Sequence, residues 1–199
     1  MIEQLIELDQ ELFLYLNGLG NTYWDAFWLT YTAKIHWIPL YATLAYLIYR
    51  RLGTKMVVLT LITAILMVSF TDQITNLFKH GLERLRPCHE AGVAEVMRLV
   101  KDGCGGRYGY FSGHSSNSMG VAVIVGLILK NKYKYLLPML IVWSILMGYS
   151  RIYIGVHYPL DVVSGLTFGA ISGFGFYKLD KYLQSRFTLN EPDQELDKN

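Results

Sequence analysis

The stretch SRIYIGVHYPLD, residues 150–161, sets an arginine, a histidine and an aspartate into an otherwise apolar part of the chain. Ionisable side chains at the edge of an apolar segment are costly to keep, so a functional role is the first hypothesis for them. Pro159 suits the first turn of a helix, which places His157 just before that helix and Asp161 within its first turn. Because a histidine beside a carboxylate is the usual core of an activated nucleophile, the stretch predicts a reactive histidine at the end of an apolar helix.

The composition of the whole chain indicates a membrane protein. Hydrophobic residues make up 52% of the 199 residues and charged residues 17%, whereas soluble domains carry roughly 25% charged residues. The net charge of +2 and the lack of a basic tract argue against a nucleic-acid partner. The acidic N-terminus does not resemble a signal peptide, which begins with basic residues.

Hydropathy predicts an all-α fold, a polytopic bundle of membrane-spanning helices. Residues 1–18 place leucines and isoleucines at helical spacing among four acidic residues, which favours an amphipathic helix at the membrane interface over a span. Apolar stretches follow at 24–49, 56–78, 115–129, 135–149 and 160–177. Lys34 and His36 interrupt the first of these, so it is expected to begin as a short surface helix. The prediction is five spans, or six if the N-terminal helix inserts.

Basic residues orient the spans. Positive charge accumulates in cytoplasmic loops, and in a five-span arrangement three basic clusters fall on one side. These clusters are Arg50, Arg51 and Lys55; Lys130, Lys132 and Lys134; and Lys178, Lys181 and Arg186. The loop 80–114 and the N-terminus are then expected on the outer, non-cytoplasmic side of the membrane.

The chain is expected to form a single membrane-embedded domain over residues 1–187, followed by a polar cytoplasmic tail over 188–199. The two cysteines, Cys88 and Cys104, both lie in the long polar loop. If that loop faces an oxidising compartment, they can form a disulfide; otherwise they are two thiols. Gly165, Gly169 and Gly173 recur at helical spacing and predict a close-packed helix face. The sequence leaves the oligomeric state open.

Three clusters of polar residues, distant in sequence, meet on the outer side in this topology. Lys79 and Arg86 follow the second apolar stretch, Ser112, Gly113 and His114 open the third, and the stretch 150–161 joins the fourth to the fifth. The cations suit a phosphate ester, and a glycine at a helix N-terminus lets a phosphate approach backbone N–H groups. Asp161 can orient His157 as the nucleophile while His114 protonates the leaving oxygen. This chemistry requires no metal or cofactor.

Two weaker features remain open. Asp72, Asn76 and Lys79 share one face of the second apolar stretch and can be either part of the site or a structural hydrogen-bond network. Five tyrosines near the clusters suit an aromatic belt or the wall of a lipid-entry groove. They are Tyr108, Tyr110, Tyr149, Tyr153 and Tyr158.

Lys79-x6-Arg86-Pro87, Ser112-Gly113-His114 and Ser150-Arg151-x5-His157-x3-Asp161 resemble the three-part signature of the type 2 phosphatidic acid phosphatase superfamily. That family comprises membrane lipid phosphatases, soluble acid phosphatases and vanadium haloperoxidases. The resemblance implies His157 as the nucleophile, Asp161 as its partner and His114 as the acid. It implies phosphate binding by five further residues: Lys79, Arg86, Ser112, Gly113 and Arg151. One departure is Phe111, since the family usually has proline before Ser-Gly-His.

The expected function is therefore an integral membrane lipid phosphatase that works through a phosphohistidine. The small outer loop favours a polyprenyl diphosphate such as undecaprenyl pyrophosphate, or a simple phospholipid; lipid A, at its 1- or 4′-phosphate, is the alternative. A vanadium haloperoxidase is a further candidate that the apolar spans argue against. A non-catalytic lipid-binding protein is disfavoured because the nucleophile, its partner and the acid are all present.

Overall fold

The computed structural model describes residues 2–189, and it is helical apart from short connections and the long loop over residues 83–112. Helix α1 (Ile2–Gly18) and helix α2 (Thr22–Thr32) precede a short 3-10 turn, Lys34–Trp37. Four long helices follow: α3 (Ile38–Leu82), α4 (Gly113–Leu129), α5 (Leu136–Tyr153) and α6 (Pro159–Leu189). The helix predicted for residues 1–18 and the break before the first long apolar helix are both confirmed.

Helix α3 is interrupted at Gly53, where φ is +80° and ψ is 176°. Leu44 and Ile48 before the break line the same cavity as Thr60 and Val68 after it. Residues so far apart on a straight helix could not do this, since a helix rises 1.5 Å per residue. The two halves of α3 therefore fold back on each other as a hairpin.

Three helical segments of the described chain are long and apolar enough to cross a membrane: Lys34–Leu82, Leu136–Tyr153 and Pro159–Phe187. The first contains the hairpin and hence two of the predicted stretches. Helix α4 is apolar but has 17 residues, slightly fewer than a span usually needs. The polytopic helical fold is thus confirmed, while the count of five or six spans stays a prediction.

Helix α4 lies at the centre of the bundle and packs against α3, α5 and α6. Its contact with α6 is the closest, because α6 turns Gly165, Gly169 and Gly173 toward it. A Cβ added at Gly169 would lie 2.8 Å from the Cα of Ser116, and one at Gly173 would lie 2.7 Å from the Gly120 oxygen. The predicted close-packed glycine face is confirmed, and we call this α4–α6 contact the glycine seam.

The three basic clusters lie at one end of the bundle. Arg51 donates to the carbonyl of Ile128 at the end of α4 (2.9 Å), just before the lysines that follow α4. Thr60 donates to Asp180 of α6 (3.5 Å), so the basic end of α6 lies at that end too. This arrangement agrees with the predicted topology; the side of the membrane that the end faces stays a prediction.

Helix α6 is longer than the predicted apolar stretch 160–177. It continues to Leu189 because its polar residues beyond 177 find partners: Gln184 donates to Asp180, and both side chains are buried. The predicted polar tail, 188–199, lies outside the described residues except for the last two residues of α6.

Candidate active site

His157 and Asp161 form a buried pair at the junction of α5 and α6. The chain turns at Gly155, where φ is +85°, and Pro159 begins α6. Asp161 Oδ2 accepts hydrogen bonds from His157 Nδ1 (3.2 Å) and from the backbone N–H of Tyr158 (3.1 Å). With the proton on Nδ1 held by the carboxylate, Nε2 carries the lone pair and is the atom able to attack.

Arg151, one turn before this junction, presents a buried guanidinium. Its Nη1 donates to Thr32 Oγ1 of α2 (2.7 Å), and its Nε is buried without a partner among the described residues. A buried N–H without a partner is costly unless something in the working protein accepts it. A phosphate oxygen is an acceptor that suits this position.

Arg86 and Lys79 come from the end of α3 and the loop that follows. Arg86 donates to the carbonyl oxygens of Tyr108 (3.1 Å) and Cys104 (2.9 Å), which fix its position on the loop. The structure joins Cys104 to Cys88 in a disulfide, with Cα atoms 6.0 Å apart. The disulfide thus links Cys88, two residues after Arg86, to the cysteine whose carbonyl accepts from Arg86.

Ser112, Gly113 and His114 form the start of α4. Ser112 caps the helix: its hydroxyl accepts from Ser115 N (3.4 Å), while its own N–H donates to the carbonyl of Asp161 (3.0 Å). The backbone N–H groups of Gly113 and His114 belong to the first turn, where no helical partner is available. This turn therefore offers an anion site directly beside the start of α6.

Electrostatic interactions link these groups to one another. The charges of Arg151, Arg86 and Lys79 act on the His157 ring, and the charges of Arg151, Lys34 and Lys79 act on the His114 ring. Burial, together with the charges of Arg151 and Arg86, lowers the pKa of His157 well below its usual range. The His157 ring is therefore neutral at physiological pH, the state that a nucleophile requires.

The structure thus brings together all the residues predicted for the site. They are Lys79, Arg86, Ser112, Gly113, His114, Arg151, His157 and Asp161. Their placement is as expected, whereas the role of each one stays a prediction. Of the polar stripe on α3, Asp72 accepts from Asn117 of α4 (2.8 Å) and its charge reaches Lys79, while Asn76 is exposed.

Sequence reasoning missed three residues that hold the site in place: Asp9, Thr32 and Arg84. Thr32 binds Arg151, and Arg84 joins Asp9 of α1 to Asp161. Asp9 was one of four acids on a helix interpreted as amphipathic, yet it is 6% exposed and faces the bundle. Residue spacing within α1 indicates which side chains share a helix face. It does not indicate that Asp9 contacts an arginine in a distant part of the chain.

An apolar cavity of about 410 Å³ opens beside the site, between the two halves of α3 and helix α4. Lys34 and His114 line one end, and Leu44, Ile48 and Thr60 line the remainder. We call it the α3 groove. At the end lined by His114, the groove meets the polar groups of the site. Its apolar lining extends from there toward the end of the bundle that carries the basic clusters.

Comparison with known proteins agrees with this picture. The model of the PAP2 superfamily matches residues 57–185. A lipid A 4′-phosphatase of Bacteroides thetaiotaomicron is 33% identical over 96% of this chain and 85% of its own length. An undecaprenyl-diphosphatase of Sulfolobus acidocaldarius is 28% identical over 80% of this chain and 68% of its own. A transmembrane PAP2-type phosphatidylglycerolphosphate phosphatase of Bacillus subtilis has the same fold: its crystal structure has a TM-score of 0.70 with 20% identity, covering 90% of this chain and 88% of that one. The chain is therefore a membrane phosphatase that belongs to the PAP2 superfamily.

Proposed function

We propose that this phosphatase hydrolyses the 4′-phosphate of lipid A, at the outer face of the plasma membrane, through a phosphohistidine on His157. The observation that carries the proposal is the buried His157–Asp161 pair, surrounded by three cations and flanked by His114 at the mouth of an apolar groove.

In the first step, His157 Nε2 attacks the phosphorus atom and the bond from phosphorus to the lipid oxygen breaks. His114 delivers a proton to that oxygen, so the lipid leaves as an alcohol. Burial and the nearby cations lower the pKa of His114 to about 2, so this step requires the anionic phosphate to offset those cations when it binds and raise that pKa. Arg151, Arg86 and the first turn of α4 hold the non-bridging oxygens, where charge accumulates in the transition state. Asp161 stabilises the positive charge that the His157 ring acquires.

In the second step, water attacks the phosphorus atom and the bond from phosphorus to Nε2 breaks. His114, having lost its proton, accepts one from the attacking water. Inorganic phosphate leaves and both histidines return to their starting states. The chain's own cations supply the charge compensation, so these steps are expected to proceed without a metal.

The α3 groove supports a lipid substrate. A polar headgroup at Lys34 and His114 places its apolar chains along Leu44, Ile48 and Val68. The similarity of nearly the whole chain to a lipid A 4′-phosphatase favours lipid A among the lipids that the sequence allows. Undecaprenyl diphosphate is the second candidate, supported by the similarity to an undecaprenyl-diphosphatase.

The distribution of basic residues supports the orientation. Arg51 and the lysines after α4 mark the cytoplasmic end, so the site at the other end faces outward.

The test is phosphate release by the purified protein in detergent micelles, with lipid A, undecaprenyl diphosphate and phosphatidylglycerol phosphate as substrates. Mass spectrometry of the lipid A product distinguishes loss of the 4′-phosphate from loss of the 1-phosphate. We expect the 4′-phosphate to be removed fastest and His157→Ala to abolish the activity. His89→Ala is the matched control, because His89 is exposed and outside the site. Retained turnover in His157→Ala would remove this histidine as the nucleophile, and a preference for another lipid would replace lipid A.

A further inference from the structure

Arg84 lies within the loop that carries Arg86, but its contacts differ from those of a phosphate ligand. Its Nη1 donates to Asp161 Oδ1 (2.7 Å), and its Nη2 donates to Asp9 of α1. The guanidinium carbon Cζ lies 4.5 Å from the centre of the Tyr158 ring. Arg84 is therefore held between two carboxylates and an aromatic ring, with two of its nitrogens committed to carboxylates.

The two oxygens of Asp161 are consequently divided between two tasks. Oδ2 accepts from His157 and from the Tyr158 backbone, while Oδ1 accepts from Arg84. Asp161 is fully buried, and an ionised carboxylate in that position is strongly disfavoured unless a cation compensates it. Arg84 supplies this charge and fixes the rotation of the carboxylate that accepts the hydrogen bond from His157 Nδ1.

Asp9 in turn fixes Arg84. One Asp9 oxygen accepts from Arg84, and the other accepts from the backbone N–H of Leu160, in the first turn of α6 (2.8 Å). Asp9 is thus bonded both to the arginine that holds Asp161 and to the backbone next to Asp161. Although burial by itself lowers the pKa of Arg84, the charges of Asp161 and Asp9 raise it above its ordinary value. The arginine therefore remains charged in this partly buried position.

Helix α1 is itself anchored to the same region. The Asn17 amide donates to the carbonyl oxygens of Ile152 (3.1 Å) and Tyr153 (2.9 Å) at the end of α5. Phe13 packs edge-on against the Tyr158 ring, with ring centres 5.3 Å apart. Asp9, Phe13 and Asn17 form the buried face of α1, so the position of Asp9 is fixed by the whole helix.

We propose that Arg84 and Asp9 are positioning residues for the phosphatase reaction: Asp9 orients Arg84, and Arg84 orients Asp161 against His157. The inference rests on the proposed role of His157 as the nucleophile. It assigns a catalytic contribution to α1, which lies outside the part of the chain that the family model matches.

The experiment compares Arg84→Gln, Arg84→Lys, Asp9→Asn and the double variant Asp9→Asn/Arg84→Gln with the unchanged protein. Steady-state kinetics are measured on lipid A and on a small soluble aryl phosphate. Asp25→Asn is the matched control, since Asp25 forms an ion pair with Arg98 (3.0 Å), away from His157. Thermal unfolding in detergent tests whether each variant is folded.

We expect Arg84→Gln to lower kcat by about 10- to 100-fold and Asp9→Asn by about 3- to 10-fold, with KM within about threefold. Because Asp9 acts through Arg84, the double variant should resemble Arg84→Gln alone. Arg84→Lys keeps the positive charge but lacks the two Nη groups that donate separately to Asp161 and Asp9. Its kcat should therefore lie between those of Arg84→Gln and the unchanged protein.

The pH profile distinguishes positioning from loss of structure. Arg84 is one of several charges that lower the pKa of His157, after burial and after Arg151, Arg86 and Lys79. Its removal raises the pKa of His157, so the acid limb of kcat/KM should move to higher pH in Arg84→Gln and not in Asp25→Asn. The other titratable groups that face this histidine, Asp161 and His114, remain in all variants.

The inference is overturned if folded Arg84→Gln and Asp9→Asn variants retain the kcat and pH profile of the Asp25→Asn control. It is also overturned if their effects multiply in the double variant, because Asp9 then acts independently of Arg84. If Arg84→Gln does not fold, Arg84→Lys and Asp9→Asn decide the outcome. Failure of the proposed function gives a different result: the unchanged protein and His157→Ala then release phosphate equally.

Discussion

Replacing Thr32 by valine removes the only polar contact that α2 makes with the guanidinium of Arg151 among the described residues. The side chains of threonine and valine have nearly the same shape, so the substitution deletes the hydroxyl group and preserves the packing. Thr32 is 8% exposed and Arg151 is 6% exposed, so water cannot easily take the place of the lost acceptor. The Arg151 Nη1 group, at 2.7 Å from Thr32 Oγ1, is then left without this partner.

The expected size of the effect follows from the nature of this bond. A hydrogen bond to a charged group contributes about 1.5–3 kcal/mol, and each 1.4 kcal/mol corresponds to about a tenfold change. If Arg151 binds the phosphate most strongly in the transition state, Thr32→Val should lower kcat/KM by about 10- to 150-fold. Thr32→Ser keeps the hydroxyl and should retain most of the activity.

The assay is phosphate release in detergent micelles over a range of substrate concentrations, with thermal unfolding measured on the same samples. Thr43→Val is the matched control, because within residues 2–189 the Thr43 hydroxyl bonds only to the backbone of its own helix, at Pro39 (2.8 Å). It should change kcat/KM by less than about twofold. Equal kcat/KM in Thr32→Val and Thr32→Ser would refute the reasoning, since the hydroxyl would then contribute nothing to the position of Arg151.

Three further predictions concern pH, inhibitors and the disulfide. Because burial and the nearby cations lower the pKa of His157, its ring stays neutral into acid solution. The acid limb of kcat/KM assigned to it should lie below about pH 6.5 and move upward in Arg86→Gln; a limb that does not move would contradict this electrostatic origin. Activity should persist in excess EDTA, whereas vanadate should inhibit competitively by occupying the phosphate position; strong inhibition by EDTA would indicate a metal. Reduction of the bond between Cys88 and Cys104, 16 residues apart, should lower the midpoint of thermal unfolding, because a loop of this length contributes about 3 kcal/mol. A Cys88→Ser/Cys104→Ser variant should start from the lower midpoint and not respond to the reductant, and an unchanged midpoint in both would show that the loop is stable without the bond.

Much of the fold was predictable because apolar stretches and breaks are local properties. The polar pair Lys34 and His36 indicated the break before α3, and the repeated glycines of α6 indicated its close contact with α4. The hairpin at Gly53 was expected only as a basic loop between two spans. The extension of α6 to Leu189 was missed, because it depends on Asp180 and Gln184 finding partners inside the bundle.

The site was predictable to the extent that its chemistry resides in rare residues at fixed spacings. His157 and Asp161 are separated by one helical turn, so their contact follows from the helix start at Pro159. The contacts of Asp9 with Arg84 and of Thr32 with Arg151 depend on how α1 and α2 pack against the bundle. No periodicity within either helix encodes that packing, which is why the supports of the site were missed while its reactive groups were not.

The glycine seam fixes the spacing of the reactive groups independently of the shape of the α3 groove. Helix α4 begins with Ser112 and His114 and helix α6 begins just after His157, so the backbone contact between these helices fixes the distance between the nucleophile and the acid. The α3 groove shares only one wall with this rigid pair. Substitutions that adapt the enzyme to a lipid of another length or shape therefore belong in the groove. Larger or smaller side chains at Leu44, Ile48 and Val68 should change the groove while the spacing between His157 and His114 stays the same.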